Sequence, residues 1–473
     1  MAYGRGNVSF GRTVIYTGAK TIDDGNICDE LAAALSVHAV NRGEIQYLYD
    51  YRRGKQPILG RTKEIRPEIC NRVVENRADE IVTFKAGYQT AEPCQYVARA
   101  DKDISDAINY LNDVMYVCDK EYSDDVLVDW FFTCGTAYRM ILPRAGGGDE
   151  DPLAVYTLDP RDAFVVYSRE LGHRPMMGVT VAELTDGRQL ACVYTDSKYY
   201  EITDGVITHR GVNLVGTVPI IEYPANTCRI GAFEIVLPLL DAINNVESNR
   251  LDGVEQFIQA LLVLKGVDVE EDSIKKVKEL GGLGLPSEGD AFYLTQALDQ
   301  AQTQTLKDDM YQAVLTICGM PNRNGGSSTS DTGAAVTMRD GWSEAESRAK
   351  RVEKMFRRSE KRFLRIALRL LRDLKVSKLE LSDVDIRCPR RNYENVQEKA
   401  QVLTTMLASD MIHPKLAFEH SGLFVDPELA YTLSRQYAEE QAEKEAEELR
   451  KLDAAAVGAA KTANGQPEET GDV

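Results

Sequence analysis

The spacing of apolar residues predicts helices in the first part of the chain. Between residues 27 and 51 apolar side chains recur every three or four positions, as at Leu31, Leu35 and Leu48, which is typical of an amphipathic helix. A similar pattern predicts a second helix over residues 69–84. Residues 1–25 are rich in Gly and Thr and have no clear period, so we expect an extended N-terminal arm.

Residues 86–230 have the pattern of a mixed α+β region. Helical spacing predicts helices over 104–117 and 123–134. Short β-branched and aromatic runs separated by turn residues predict strands at 137–142, 153–158, 163–167, 177–181, 190–194, 199–202 and 218–223. Because these runs follow one another closely, they favour a mostly antiparallel sheet.

Beyond residue 230 the chain is mainly helical. Two helices, predicted over 233–262 and 302–318, bracket a small α/β insert. A polar loop rich in Gly, Ser, Thr and Asn follows at 319–333, and a long helix is predicted from 334 to 374. The remaining elements are a strand at 378–387, helices at 395–408, 415–421 and from 426 to about 452, and a disordered tail at 453–473.

Composition narrows the class of protein. The chain has 473 residues and a net charge of −18, which does not suit a simple DNA clamp, because such proteins bind phosphates with surplus Lys and Arg. An acidic conduit would let DNA slide, although acidity could equally serve only solubility. We see no membrane span and no signal peptide, and nine scattered Cys argue against a disulfide framework.

No catalytic motif is found in the sequence. It contains no P-loop, no H-E-x-x-H helix and no G-x-S-x-G turn. Asp383 and Asp385 alternate on a predicted strand, and His413 and His420 lie seven residues apart, but solvated surface positions explain both pairs better than metal ligation. We therefore predict no catalytic residues, no metal and no cofactor.

One helix departs from the acidic average. Residues 348–372 contain eleven Lys or Arg and two Glu, a local charge of +9. Apolar positions such as Phe356, Phe363 and Leu370 give this stretch a buried face. Its Arg residues could form ion pairs within the protein or contact DNA phosphates, and the sequence leaves both interpretations open.

The ordered set of segments resembles the portal proteins of long-tailed double-stranded DNA phages. The similar segments are EIQYLYDYRRGKQPILGR at 44–61, NRVVENRADEIVTFKAGYQTAEP at 71–93, LDPRDAFVVYS at 158–168 and the strand-loop-helix at 218–266. No single motif is specific, but their order is, and the resemblance covers about residues 27–440. It implies an α+β portal fold with an α/β wing, a two-helix stem, a small α/β clip, a long kinked wing helix and a helical crown.

The resemblance also implies boundaries for these parts. They are an N-terminal arm at 1–26, the wing at 27–232, stem helix 1 at 233–265, the clip at 266–299, stem helix 2 at 300–319, a tunnel loop at 320–334, a long helix and return strand at 335–393, the crown at 394–452 and a tail at 453–473.

Three groups of site residues follow from the resemblance. The tunnel loop facing DNA would contain Asn322, Arg323, Asn324, Ser327, Ser328, Thr329 and Ser330. The channel face of the stem would contain Asp241, Asn244, Glu247 and Asp252. The clip would meet the motor and adaptors through Glu270, Glu271, Asp272, Lys275, Lys276 and Lys278.

The implied function is a passive ring at one capsid vertex through which DNA is packaged and ejected. The implied partners are further copies of the chain in a dodecamer, double-stranded DNA without sequence specificity, the terminase large subunit, the major capsid and scaffolding proteins, and neck or head-completion adaptors, with no membrane. The location would be the virion, after assembly in the bacterial cytoplasm. Two alternatives are another virion assembly protein, such as a minor capsid or adaptor subunit, and an enzyme acting on nucleic acid.

Overall fold

The structure is a computed structural model that describes residues 11–89, 93–99, 104–144, 151–258, 261–265, 290–294, 300–322, 341–388, 396–424 and 426–463. It divides into two compact units, residues 1–390 and 391–473. Helices and sheets are mixed, which confirms the predicted α+β class.

The first unit contains seven helices within its described residues. They are α1 Ile27–Arg52, α2 Arg77–Gln89, α3 Ser105–Val117, α4 Lys120–Cys134, α5 Leu237–Ile258, α6 Gln300–Cys318 and α7 Trp342–Asp373. Two short 3₁₀ turns, Pro57–Gly60 and Glu234–Val236, precede α2 and α5. The predicted helices at 27–51, 104–117, 123–134 and 302–318 are confirmed within a few residues.

A six-stranded sheet has the order β1-β5-β6-β7-β8-β9. Its strands are β1 Ile15–Thr17, β5 Ala163–Ser168, β6 Pro175–Glu183, β7 Gln189–Tyr194, β8 Lys198–Thr203 and β9 Val206–Val212. Neighbours pair antiparallel except β1 and β5, which are parallel. The sequence pattern missed β9, because most of its side chains are exposed and it has no clear apolar face.

Three smaller sheets complete the described strands. One has the order β10-β3-β4, and the others pair β11 with β12 and β13 with β2. Their strands are β2 Gln95–Ala98, β3 Thr136–Pro143, β4 Leu153–Leu158, β10 Ile220–Pro224, β11 Leu261–Lys265, β12 Asp290–Leu294 and β13 Val384–Arg387. All three sheets are antiparallel.

Two apolar cores hold the first unit together. In one, Leu31 and Ala34 of α1 and Ile220 of β10 pack against β5, whose six residues are all buried. The sheets approach so closely that a Cβ on Gly178 would lie 2.9 Å from Ile220 Cβ, so only glycine fits there. The larger core joins α2 to α7 with the three-stranded sheet.

Residues 11–26, predicted as part of an extended N-terminal arm, include the extended strand β1 and pack against the rest of the unit. Strand β1 forms the edge of the six-stranded sheet, and Arg12 is buried, with ion pairs to Glu234 and, at 3.4 Å, to Glu44. A buried guanidinium needs such partners, because an unpaired charge in the core is costly. Residues 1–10 lie outside the described residues.

Two predicted helix limits were wrong. Residues 69–76 are not helical, and α2 begins only at Arg77. Helix α5 ends at Ile258, and residues 261–265, assigned to the first stem helix, form strand β11. The β-branched and apolar run Leu261–Lys265 is too short to distinguish a helix from a strand by its period.

The second unit consists of helices α8 Val396–Leu407, α9 Pro414–Ser421 and α10 Pro427–Ala463 in its described residues. Leu403, Ala417 and Phe418 form its small core, and Lys415 pairs with Glu428 at 2.8 Å. Helix α10 continues to Ala463, so the predicted disordered tail was wrong for residues 453–463. Six of the eleven residues in this stretch are Ala, which has the highest helix propensity.

Candidate functional site

A row of polar side chains on α5 faces a neighbouring segment of the chain. Asn244, Ser248 and Asp252 follow one another at intervals of four residues and are all at most 2% exposed. Their side-chain oxygens accept hydrogen bonds from the backbone N–H groups of Glu75 (2.8 Å), Val73 (3.0 Å) and Asn71 (2.7 Å), respectively. The helix therefore holds residues 71–75 in an extended conformation.

The geometry of this contact follows from two repeats. Four residues of α-helix rise about 6 Å, and two residues of extended chain advance about 6.6 Å. Every second N–H of the segment thus meets every fourth residue of the helix. This match explains why helix α2 does not extend back through Val73 and Val74 towards residue 69. The backbone N–H groups of Val73 and Glu75 donate to side chains of α5.

Asp252 is the most connected residue of the row. Its carboxylate accepts the Asn71 N–H and Nδ2, and it pairs with Lys63 Nζ at 2.9 Å and Arg61 Nη2 at 3.0 Å. Burial raises the pKa of Asp252, but the bonds from Asn71 and Lys63 outweigh burial, so the pKa lies below its usual value. Asp252 is therefore a structural anion bound by surrounding donors.

These contacts correct the predicted channel face for Asn244 and Asp252, because both side chains are buried within the chain. Asp241 is half-buried and accepts a bond from Tyr51 Oη at 2.9 Å, while Glu247 pairs with Lys307 Nζ of α6 at 2.7 Å. The interval of four between Asn244, Ser248 and Asp252 was the available signal, since it places all three on one face. When the helix is considered without residues 71–75, this polar face looks the same as a face that is exposed to solvent.

Helices α5 and α6 contact each other and connect to a strand pair. Besides the Glu247–Lys307 ion pair, Arg250 Nη1 donates to Gln304 Oε1 at 2.7 Å. Beyond these helices β11 and β12 pair antiparallel, with Leu261 opposite Leu294 and Lys265 opposite Asp290. Along the chain, the two paired helices thus bracket the two paired strands.

Most of the predicted tunnel-loop and clip residues lie outside the described residues. Asn322 is described, and its Nδ2 donates to Gln312 Oε1 at 2.8 Å. The other tunnel-loop positions, Arg323, Asn324, Ser327, Ser328, Thr329 and Ser330, are outside the described residues. The same holds for the clip positions Glu270, Glu271, Asp272, Lys275, Lys276 and Lys278.

The buried face of α7 carries one fully buried carboxylate, Glu360. It pairs with Lys120 Nζ of α4 at 3.0 Å and with Arg139 Nη1 of β3 at 3.3 Å. Tyr96 and Tyr223 donate their hydroxyl groups to it at 2.6 and 2.7 Å. Asp124, which bonds both Lys120 and Arg139, completes the set, so two cations balance two anions in the core.

This buried ion network fixes α7 against the sheets. Burial would raise the pKa of Glu360, but Lys120 and Arg139 outweigh it and lower the pKa to about 2. The network was not predicted from the sequence, where Glu360 is only one of two acids in a basic helix. The position of Glu360 in the sequence could have indicated its burial. It lies four residues after Phe356 and three before Phe363, and therefore on the apolar face of the helix.

The opposite face of α7 is basic, and its cations fall into two groups. Those near the helix ends or flanks have acidic partners: Arg348 with Glu344, Lys350 with Glu346, Arg357 with Asp385, Arg369 with Asp373 and Arg372 with Glu380. Others have no acidic partner among the described residues: Arg351, Lys354, Arg358, Lys361, Arg362 and Arg365. The interpretation as ion pairs within the protein therefore applies to the first group of residues. The interpretation as a contact for DNA phosphates stays open for the second group.

In each of the two pairs considered as metal ligands, one member makes another contact. Asp385 lies in β13, but Asp383 precedes the strand and accepts the Glu380 N–H at 3.0 Å. His413 caps α9 by accepting the Lys415 N–H. In the described part of the chain, no group of three or more His, Cys, Asp or Glu could hold a metal ion. Searching the same residues finds no helix with the length and apolarity needed to cross a membrane.

Comparison with known proteins identifies the family. The family model described as phage portal protein, SPP1 Gp6-like, matches residues 33–455. No curated protein sequence matches the chain. A solved structure described as the neck of an empty GTA particle, computed with C6 symmetry, is similar with a TM-score of 0.42 and 12% identity, over 74% of this chain and 91% of that one.

The long family match defines a structural component of a phage particle. The chain belongs to the SPP1 Gp6-like family of phage portal proteins, because the family model spans most of its length. It accordingly has a portal, or head-to-tail connector, role as a ring-forming virion component. The family is structural rather than enzymatic.

Proposed function

We propose that this chain forms a dodecameric ring at one capsid vertex, through which double-stranded DNA is packaged and later ejected. The observation that carries the proposal is the family match over residues 33–455. The paired helices α5 and α6 with the strand pair β11–β12 between them support it, because a two-helix element of this kind could line a channel in a ring. DNA would pass without sequence-specific contacts.

We assign roles to the parts of the chain with boundaries adjusted to the structure. Helices α5 and α6 would form the stem, and the segment from β11 to β12 the clip. The wing would consist of residues 11–232 with α7 and β13, and the helices beyond 394 would form the crown. The acidic total charge of −18 favours passage, since it limits adhesion of DNA to the ring.

The partners belong to the same proposal. The clip, with Glu270, Glu271, Asp272, Lys275, Lys276 and Lys278, would dock the terminase large subunit and then the neck adaptors. The ring would also contact the major capsid and scaffolding proteins, and assemble in the bacterial cytoplasm. The loop at 320–334, including Arg323, would touch the phosphates of passing DNA.

Two experiments test this function. Negative-stain images of the purified protein should show rings with a central channel, whereas a monodisperse monomer would contradict the proposal. In a packaging assay, Arg323→Glu should alter DNA packaging and leave the ring intact. If this change instead prevents ring assembly, the loop contacts subunits rather than DNA.

A further inference from the structure

The basic face of α7 contains a linear row of cations without acidic partners. Arg351, Lys354, Arg358, Lys361 and Arg365 recur every three or four residues and are all exposed, so they share one side of the helix. At about 1.5 Å per residue the row extends about 21 Å. None has an acidic partner among the described residues, unlike their neighbours on the flanks.

The row borders a pocket of about 310 Å³. Arg358 and Arg362 of α7 form one wall of the pocket, and Arg229, Thr227 and His173 contribute to the others. The charge of Arg229 is balanced by Glu222, at 2.5 and 2.9 Å, so Arg358 and Arg362 supply the net positive charge. His173 Nδ1 lies 3.0 Å from the Ser168 carbonyl oxygen, and Nε2 has no partner in the described residues.

We propose that this basic face, the row from Arg351 to Arg365 with the pocket at Arg358 and Arg362, binds the phosphates of double-stranded DNA. A straight row of evenly spaced cations matches a polyanion with regular charge spacing. A guanidinium group can donate two parallel hydrogen bonds to phosphate oxygens, and the pocket lined by Arg358 and Arg362 is large enough for a phosphate group.

An acidic protein is a weaker match for this surface. Protein interfaces contain a core of aromatic or aliphatic anchors, with charges at the rim. Here all five exposed side chains of the row are cations. Apolar and aromatic residues, namely Val14, Tyr16, Tyr167, Pro224 and Met355, line the pocket but do not belong to the row. The inference rests on the proposed function in one respect, which is the choice of DNA as the polyanion.

The test measures binding of the purified ring to two unrelated short duplexes over a salt range of roughly 50 to 200 mM. Arg358→Gln together with Arg362→Gln should weaken binding to both duplexes equally, by roughly tenfold at low salt. The slope of log affinity against log salt should become shallower by about 2, one unit for each lost phosphate contact. Lys350→Gln is the matched control, because it removes an exposed cation of the same helix that pairs with Glu346, and it should leave the slope unchanged.

A second variant and a competitor keep the inference testable. Arg351→Gln with Arg365→Gln removes two exposed cations outside the pocket and should shift the slope by a similar amount. The inference is overturned if both double variants bind DNA like the original protein, or if polyglutamate displaces DNA at equal charge concentration. It is also overturned if either double variant folds but forms no rings, since the row would then be a contact between subunits. Absence of rings in the unmodified protein would instead contradict the proposed function.

Discussion

Helices α5 and α7 are both amphipathic, but they use polar residues in opposite ways. Helix α5 turns Asn244, Ser248 and Asp252 inward, where they bind the backbone of residues 71–75. Helix α7 turns its cations outward and buries apolar side chains with the single carboxylate of Glu360. Position relative to neighbouring segments, rather than residue type, decides what each polar group does.

The difference separates residues that hold the fold from residues available to a ligand. Inward polar groups are costly to remove, because their partners are left buried without a bond. Outward charges contribute little to stability, because water already solvates them. Four changes test this contrast, from the largest expected effect on the free energy of unfolding to the smallest.

Removing the buried carboxylate of α7 should have the largest effect. Glu360→Ala leaves Lys120 and Arg139 in the core with only Asp124 as an anion, so we expect a loss of about 3–5 kcal/mol in the free energy of unfolding. Urea denaturation at fixed protein concentration measures it. Glu344→Ala is the control: it pairs with Arg348 at the surface, and its loss should cost less than about 1 kcal/mol. Equal effects would contradict the role of the network.

The inward row of α5 should be the next most sensitive. Asp252→Ala deprives Asn71, Lys63 and Arg61 of a shared acceptor, so we expect a loss of about 2–3 kcal/mol. Trypsin should also cleave faster within residues 61–76, since the segment loses an anchor. The exposed Asn245 on the same helix provides the control, and Asn245→Ala should stay within about 0.5 kcal/mol. Unchanged cleavage would show that Asp252 does not hold the segment.

Acid should weaken the buried network in a defined pH window. The pKa of Glu360 is lowered from 4.5 to about 2, so its contribution is complete above pH 4.5 and is lost as the pH falls towards 2. By pH 3 the loss should be about 2 kcal/mol. Comparing urea denaturation of the original protein and Glu360→Gln at several pH values isolates this contribution. If both proteins lose stability in parallel between pH 4.5 and 3, other carboxyl groups dominate.

Changing the outward row of α7 should have the smallest effect on stability. Lys354→Gln and Lys361→Gln should each change the free energy of unfolding by less than about 0.5 kcal/mol, because both side chains are exposed and have no acidic partner in the described residues. Urea denaturation measures this as well. A loss above 1 kcal/mol from either change would mean that the row supports the fold.

Local patterns were sufficient for most of the architecture. The limits of α1, α3 and α6 were predicted within a few residues, because each has a clear helical period. The segments at 69–76 and 261–265 were predicted wrongly, since tertiary contacts decide their conformation: one is bound by α5, and the other pairs with β12. Among the site residues, the burial of Asn244 and Asp252 was unpredictable from a helix considered by itself.

The sequence by itself determined the α+β class, the order of the elements, the basic face of α7 and the portal family. These follow from periodicity, charge spacing and the order of motifs, all of which are properties of the chain. Only the tertiary structure decided that Asp252 binds Arg61, Lys63 and Asn71 and that Glu360 balances Lys120 and Arg139. The reason is physical: whether a polar side chain meets water or a buried partner depends on residues distant along the chain, which no local pattern contains.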